Sequence, residues 1–256
     1  MPMHTRVGGV WKTVTPKVKV AGAWKTVSGG WVKVAGVWRK FFTSALSLAI
    51  THGASTYATA AGNKTLTVPG VVGDLLVVYA TATDCANSGT LTDNQGGTYT
   101  LVTAAVKNAG VDILAVFVRD QLMANTNSHV LTWVPPTNTG GGMTGYRITG
   151  MPNAGAAAIK QSAVKHNINA GVVCTTLFGA QRTPGNAIIS GVCTTSNPVA
   201  MTPDSNFTGM GSGGYNIPTT GFAGQTQIVS SSIGASIPWA TAAPSAACAA
   251  SVEIGQ

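Results

Sequence analysis

The chain is poor in charge. Asp, Glu, Lys and Arg make up 9% of its 256 residues, and only seven residues are acids. With 45% hydrophobic residues beside that low charge, it is a folding chain rather than a disordered one, long enough to bury a core. No apolar run approaches the roughly 18–20 residues that a spanning helix needs, so no membrane span is expected. The longest runs, residues 75–80 and 113–118, have strand length. The first six residues lead into Trp-Lys repeats rather than an apolar segment with a cleavage site, and no secretory signal is expected. The cysteines, Cys85, Cys174, Cys193 and Cys248, form no CxxC pair and no zinc-finger spacing, which argues against a metal site. Buried free thiols are favoured over a disulfide.

Catalytic patterns are equally thin. Only four histidines occur, His4, His52, His129 and His166, with no Gly-x-Ser-x-Gly elbow, and they read as structural or surface residues. The seven acids show no marked pair of the kind that cleaves glycans; Asp74 and Asp93 read as turn residues. Two stretches, 140–145 and 209–214, match GxGxxG, but neither opens a helix that could receive a pyrophosphate. The expectation is a non-enzyme with no cofactor.

What the chain does have is a segregated charge. Residues 1–43 carry eight bases and no acid, and the remainder carries seven of each, so the net charge of +8 belongs to the opening segment. That segment repeats a short unit around Trp11, Trp24 and Trp38, with a fourth tryptophan at Trp31. Taking 8–9, 21–22 and 35–36 as two-residue hairpin turns sets Arg6 opposite Trp11, Lys19 opposite Trp24 and Lys33 opposite Trp38. Such pairs cover an indole with an aliphatic stem and add a cation–π attraction of roughly 0.5–1 kcal/mol when exposed. Hairpins this small are marginal alone, so docking on another surface is expected. Lys/Arg with interleaved Trp would also suit nucleic acid, but the larger part of the chain is charge-balanced, and protein docking is the stronger reading.

From residue 44 the pattern is short runs of Val, Ile, Thr and aromatics between Gly, Asn, Pro and Asp. Candidate strands are 46–51, 64–68, 74–82, 98–103, 111–120, 129–134, 145–149, 172–177, 187–194, 225–230 and 249–254. Continuous apolar runs such as 75–79 fit strands buried on both faces. Only 154–164 could be helical. The expected fold is all-β: N-terminal hairpin repeats over 1–43, then an antiparallel, jelly-roll-like β-sandwich over 44–256. The stretches 137–144 and 208–220 read as long outer loops, with Asn138, Met143, Asn206 and Tyr215 as contact candidates.

The repeats Arg-Val-Gly-Gly-Val-Trp-Lys (6–12), Val-Lys-Val-Ala-Gly-Ala-Trp-Lys (18–25) and Val-Lys-Val-Ala-Gly-Val-Trp-Arg (32–39) resemble the N-terminal repeats of tailed-bacteriophage structural proteins. The stretches 69–78, 91–99, 146–151, 185–189 and 251–254 are similar to β-sandwich domains of phage virion and tail-fibre proteins. The resemblance implies a virion structural protein, foremost a short tail fibre or tail-associated adhesin that is oligomeric, as a trimer. Its implied partners are other virion proteins of the tail or capsid and a host surface glycan. Trp11, Trp24, Trp31, Trp38, Lys19 and Lys33 become the candidate docking residues. A capsid-decorating protein or head fibre, and a carbohydrate-binding module, are the alternatives.

Overall fold

The computed structural model describes the chain except residues 1–2, 8–9, 15–16, 21–22, 27–28, 35–36, 44–46, 86, 108–111, 196–200, 217–218, 232–233 and 256. Among side chains, those of 3–46 other than Lys17 and Lys19, and those of 215–220, also fall outside the described set. The described residues form strands and one 3₁₀ turn, so the all-β expectation holds. No helix among them is long and apolar enough to cross a membrane. The chain divides into two compact units, Met1–Ser47 and Leu48–Gln256.

The first unit consists of three separate two-stranded antiparallel sheets. They pair β1 (Met3–Val7) with β2 (Val10–Val14), β3 (Lys17–Val20) with β4 (Ala23–Thr26), and β5 (Gly29–Val34) with β6 (Val37–Thr43).

The second unit has two halves. The first half contains β7 (Ala49–Ala58), β8 (Lys64–Val68), β9 (Leu75–Thr83), β10 (Thr90–Asp93), β11 (Tyr99–Lys107), β12 (Asp112–Arg119), β13 (His129–Val134) and β14 (Gly140–Thr149). They form a five-stranded sheet in the order β7-β14-β9-β12-β11 and a three-stranded sheet in the order β8-β13-β10. First pairs with last, second with seventh and third with sixth, which is the swirl of a jelly roll. After a 3₁₀ turn at Gly155–Ala158, the second half adds β15 (Ile159–Ile168), β16 (Val173–Leu177), β17 (Ala187–Thr194), β18 (Thr208–Asn216), β19 (Thr219–Ile228), β20 (Ser236–Ala242) and β21 (Ala247–Ile254). Its sheets run β15-β21-β17-β19-β18 and β16-β20, and an isolated bridge from Pro203 to Trp239 stands where β10 would pair.

Strand for strand, the second half therefore repeats the first. The connections repeat as well. Gly73 donates to Met123 O and Met123 returns a bond to Asp74 O, while Gly185 donates to Val229 O and Val229 returns one to Asn186 O. Asp93 and Asp204 each accept from the backbone two residues on, at Gln95 and Asn206, in matching Asx turns.

The two five-stranded sheets pack face to face, and each outer sheet covers the opposite face of its own five-stranded sheet, giving four layers. One core joins Leu75, Val77, Tyr79, Leu114, Val116 and Ile148 to Ile189, Phe222, Val252 and Ile254 across the middle. A second holds Leu76, Val78 and Phe117 against Leu66, Leu131 and Trp133. This is why β9, β12, β17 and β21 are apolar or small at almost every position: both of their faces are covered.

Edge strand β11 lies along β15, and β18 lies along β7. Because β11 corresponds to β18 and β15 to β7, exchanging the halves exchanges these two seams, so the halves are related by a pseudo-twofold axis. Near that axis a residue meets its own counterpart. Tyr79 and Gly191 are the fifth residues of β9 and β17, and they face each other. The Tyr79 hydroxyl donates to Ile189 O at 2.8 Å, and a Cβ on Gly191 would come within 2.7 Å of the Tyr79 ring. Similarly, Tyr146 donates to Met210 O at 2.7 Å and lies over Gly224, and Tyr57 lies over Gly213. Tyr79 meets Tyr146 edge-on at a centroid distance of 5.8 Å and Phe222 at a tilt at 5.7 Å.

Two expectations are corrected. Of residues 154–164 only Gly155–Ala158 is helical, as a single 3₁₀ turn, and from Ile159 the chain is drawn into a ladder with β21. The two outer-loop stretches are strand for the most part: residues 140–144 are the start of β14, paired on both sides with β7 and β9, and residues 208–216 are β18, paired with β19.

Overpacking a dense core costs about 1–3 kcal/mol. Gly191→Ala and Gly224→Ala should each lower stability by that amount. Gly179→Ala, exposed with open space around its Cβ position, should stay within about 0.5 kcal/mol. Urea unfolding midpoints check this; equal midpoints for all three variants would remove the tyrosine–glycine contacts from the account.

Candidate functional site

The hairpin register of the first unit follows the sequence expectation. Arg6 pairs with Trp11, Lys19 with Trp24 and Lys33 with Trp38. The innermost pairs are Val7 with Val10, Val20 with Ala23, and Val34 with Val37; the turn residues between them lie outside the described set. Trp31, which lies outside the repeated unit, pairs with Lys40 in the same uninterrupted register, and the register shifts only beyond that pair, at Gly30. All four tryptophans of the unit thus sit opposite a base. Lys17 and Lys19 are exposed. The unit's eight bases and four tryptophans come with no acid, so its charge is of one sign.

The outer-loop candidates do not form one surface. Met143 is fully buried on β14, in the core beneath the three-stranded sheet, so its assignment as a contact residue is withdrawn. Its glycine-rich neighbourhood looked like a loop, but Gly142 is small because Tyr57 packs against it. Asn138, in the β13–β14 connection, is half-buried and donates to Gly62 O at 3.2 Å. Asn206 is exposed and bonded to Asp204 in the second half. Tyr215 pairs with Thr220 in the β18–β19 ladder, and its side chain lies outside the described set.

Two open clefts among the described residues lie along the seams, and a third, of about 230 Å³, lies between Pro203 and β18. One of about 250 Å³ between β11 and β15 is lined by Thr100, Leu101, Val102, Ile159, Gln161 and Ser162. Its pseudo-twofold counterpart, of about 190 Å³, is lined by Ile50, Thr208, Met210, Thr226, Gln227 and Ile228. Both combine hydroxyl and amide groups with aliphatic carbon, the lining that suits an uncharged polar ligand.

Three polar clusters inside the second unit escaped sequence reading. Asp93 accepts from Gln95 N and Gly97 N at 2.8 Å, from Tyr99 Oη at 2.9 Å and from Arg119 Nε at 3.2 Å, and His129 Nδ1 lies 3.1 Å away. Burial works to raise this carboxyl, but the hydrogen bonds from Gly97, His129, Tyr99 and Arg119 prevail and hold it well below the usual carboxylate range. His129 Nε2 is buried with no hydrogen-bond partner among the described residues. Elsewhere Lys107 and Asp112 form a buried ion pair at 2.9 Å. The third cluster shows how the halves diverged: Arg147 reaches Asp74 at 3.4 Å, and at the matching positions Asn186 donates to Glu253 at 2.7 Å.

A serine–histidine contact also appears. His52 Nε2 lies 2.8 Å from Ser55 Oγ, which continues through Thr144 Oγ1 to Tyr57 Oη. The irregular register of β7 against β14 brings the two together, which no motif search could anticipate. No acid is hydrogen-bonded to His52 among the described residues, and no three His, Cys, Asp or Glu side chains there are arranged to hold a metal ion.

Asp93→Ala should cost about 3–5 kcal/mol, because it strands Arg119 and Tyr99 in the interior. With its folded value depressed, Asp93 contributes fully above the unfolded pKa of about 3.9, and the contribution disappears as pH falls through the folded value. Unfolding midpoints measured against pH should therefore fall more steeply in acid for the wild type than for Asp93→Ala; parallel curves would contradict it. Comparison of the chain with protein-family models, curated proteins and solved structures finds no match.

Proposed function

We propose that this chain is a non-enzymatic structural protein of a tailed-bacteriophage virion, attached through Met1–Ser47 and presenting Leu48–Gln256 outward. The observation that carries the reading is the threefold hairpin, in which one register sets a base opposite each repeat tryptophan. An isolated two-stranded hairpin is marginal in water, and this unit holds three that share no strand. Association with a partner surface supplies what they lack; the unit's undiluted positive charge favours an acidic partner over a neutral surface, and the charge balance of the larger unit favours a protein over nucleic acid.

The second unit supports the outward role. Its strands are buried in four layers, and its seam clefts display amide and hydroxyl groups of the kind that contact a host surface glycan. The station on the particle is a short tail fibre or tail-associated adhesin, assembled as a homo-oligomer with trimer the favoured state.

Labelling intact particles with an antibody to Leu48–Gln256 and viewing them by electron microscopy should place label on the tail. Label confined to the head would replace the tail reading with a head fibre or capsid decoration. No label on any particle, with the protein present only in the unassembled fraction, would overturn virion attachment.

A further inference from the structure

The four cysteines are all buried and free, but they are not alike. Cys85 hydrogen-bonds to Asn87 O at 3.0 Å. Cys174 lies in the core under β20, where burial pushes its thiol up to about 11. Cys193 and Cys248 instead are direct partners in the β17–β21 ladder. Directly opposed residues of antiparallel strands have Cα atoms about 4.5–5.5 Å apart, inside the roughly 4.4–6.8 Å span of disulfides. Both side chains also enter the same central core, so they project from the same face of the sheet.

The first half supplies this pair with polar surroundings. Thr81 Oγ1 lies 2.8 Å from Cys193 Sγ and also reaches Ile113 O at 2.8 Å, so its proton can turn from the carbonyl to a thiolate. Burial opposes ionisation of Cys193, but the Cys248 thiol and the Lys107 ammonium outweigh it and lower the Cys193 thiol. Cys248 is shifted the other way, by burial and by its neighbour Cys193. One sulfur is thus prepared to attack and the other to follow.

We propose that Cys193 and Cys248 are a peroxide-oxidisable pair that closes to an intramolecular disulfide. The Cys193 thiolate attacks one oxygen of hydrogen peroxide; the O–O bond breaks, hydroxide leaves, and sulfur gives up two electrons to become a sulfenic acid. The Cys248 sulfur then attacks that sulfur, the S–O bond breaks, and the S–S bond forms. The two thiol protons end in water, so two thiols and one peroxide yield one disulfide and two waters. Peroxide is close in size to the waters that folded proteins routinely bury, and local opening of the sheet sets the pace.

The test uses the full chain with excess hydrogen peroxide, followed by intact mass and peptide mapping. The expected result is a loss of two hydrogens, a cross-link between the peptides holding Cys193 and Cys248, and reversal by dithiothreitol. In Cys248→Ala, dimedone should trap the sulfenic acid on Cys193. An unchanged mass, a cross-link to Cys85 or Cys174, or oxygen added first at either of those residues would overturn the assignment. The wild-type measurement decides this by itself if the variant does not fold.

Discussion

The contact of Tyr79 with Gly191 is the constraint on which the four-layered unit depends. Two jelly rolls related by a pseudo-twofold axis must place corresponding residues against each other at that axis. Two tyrosines would collide there and two glycines would leave a void; one of each fills the space. The Tyr79 hydroxyl then finds Ile189 O, so a large side chain is buried without an unsatisfied donor. Tyr146 over Gly224 and Tyr57 over Gly213 extend the same complementarity from the first half onto the second. The halves share a topology but are no longer interchangeable, because the three tyrosines of the first half lie over glycines of the second.

This asymmetry explains which features were legible in the amino-acid sequence. Strands buried on both faces announced themselves as unbroken apolar runs, and β9 and β12 formed where those runs lie. The hairpin register followed from counting outward from two-residue turns, since local geometry alone determines it. The duplication was hidden because the equivalent positions that bear most on packing had changed chemistry: Tyr79 against Gly191, Arg147 against Glu253, Asp74 against Asn186. A faint signal remained in Gly-Asp-Leu-Leu (73–76) beside Gly-Asn-Ala-Ile (185–188), and in Leu-Thr-Trp (131–133) beside Ile-Pro-Trp (237–239).

The candidate site was legible in its first half only. Arg6, Lys19 and Lys33 pair in register with their tryptophans because repeat spacing determines a local pairing. Met143 was misjudged because glycine suggests a loop, whereas here glycine makes room for a neighbouring ring. The Asp93 cluster and the Cys193–Cys248 pair draw on residues far apart in the chain, which spacing does not reveal. The seam clefts exist only where the edges of two sheets meet, so they too waited for the tertiary arrangement.

The physical contrast between the two units is the centre of the functional account. Leu48–Gln256 closes its own cores, whereas Met1–Ser47 holds three short ladders and eight like charges that favour an acidic partner. Amide hydrogen exchange on the free protein and on purified particles tests this most directly. The account predicts that amides of β1–β6 exchange quickly in the free chain and become protected on the particle, while those of β9 and β17 are protected in both. Equal protection of β1–β6 in the two states would contradict attachment through the hairpins.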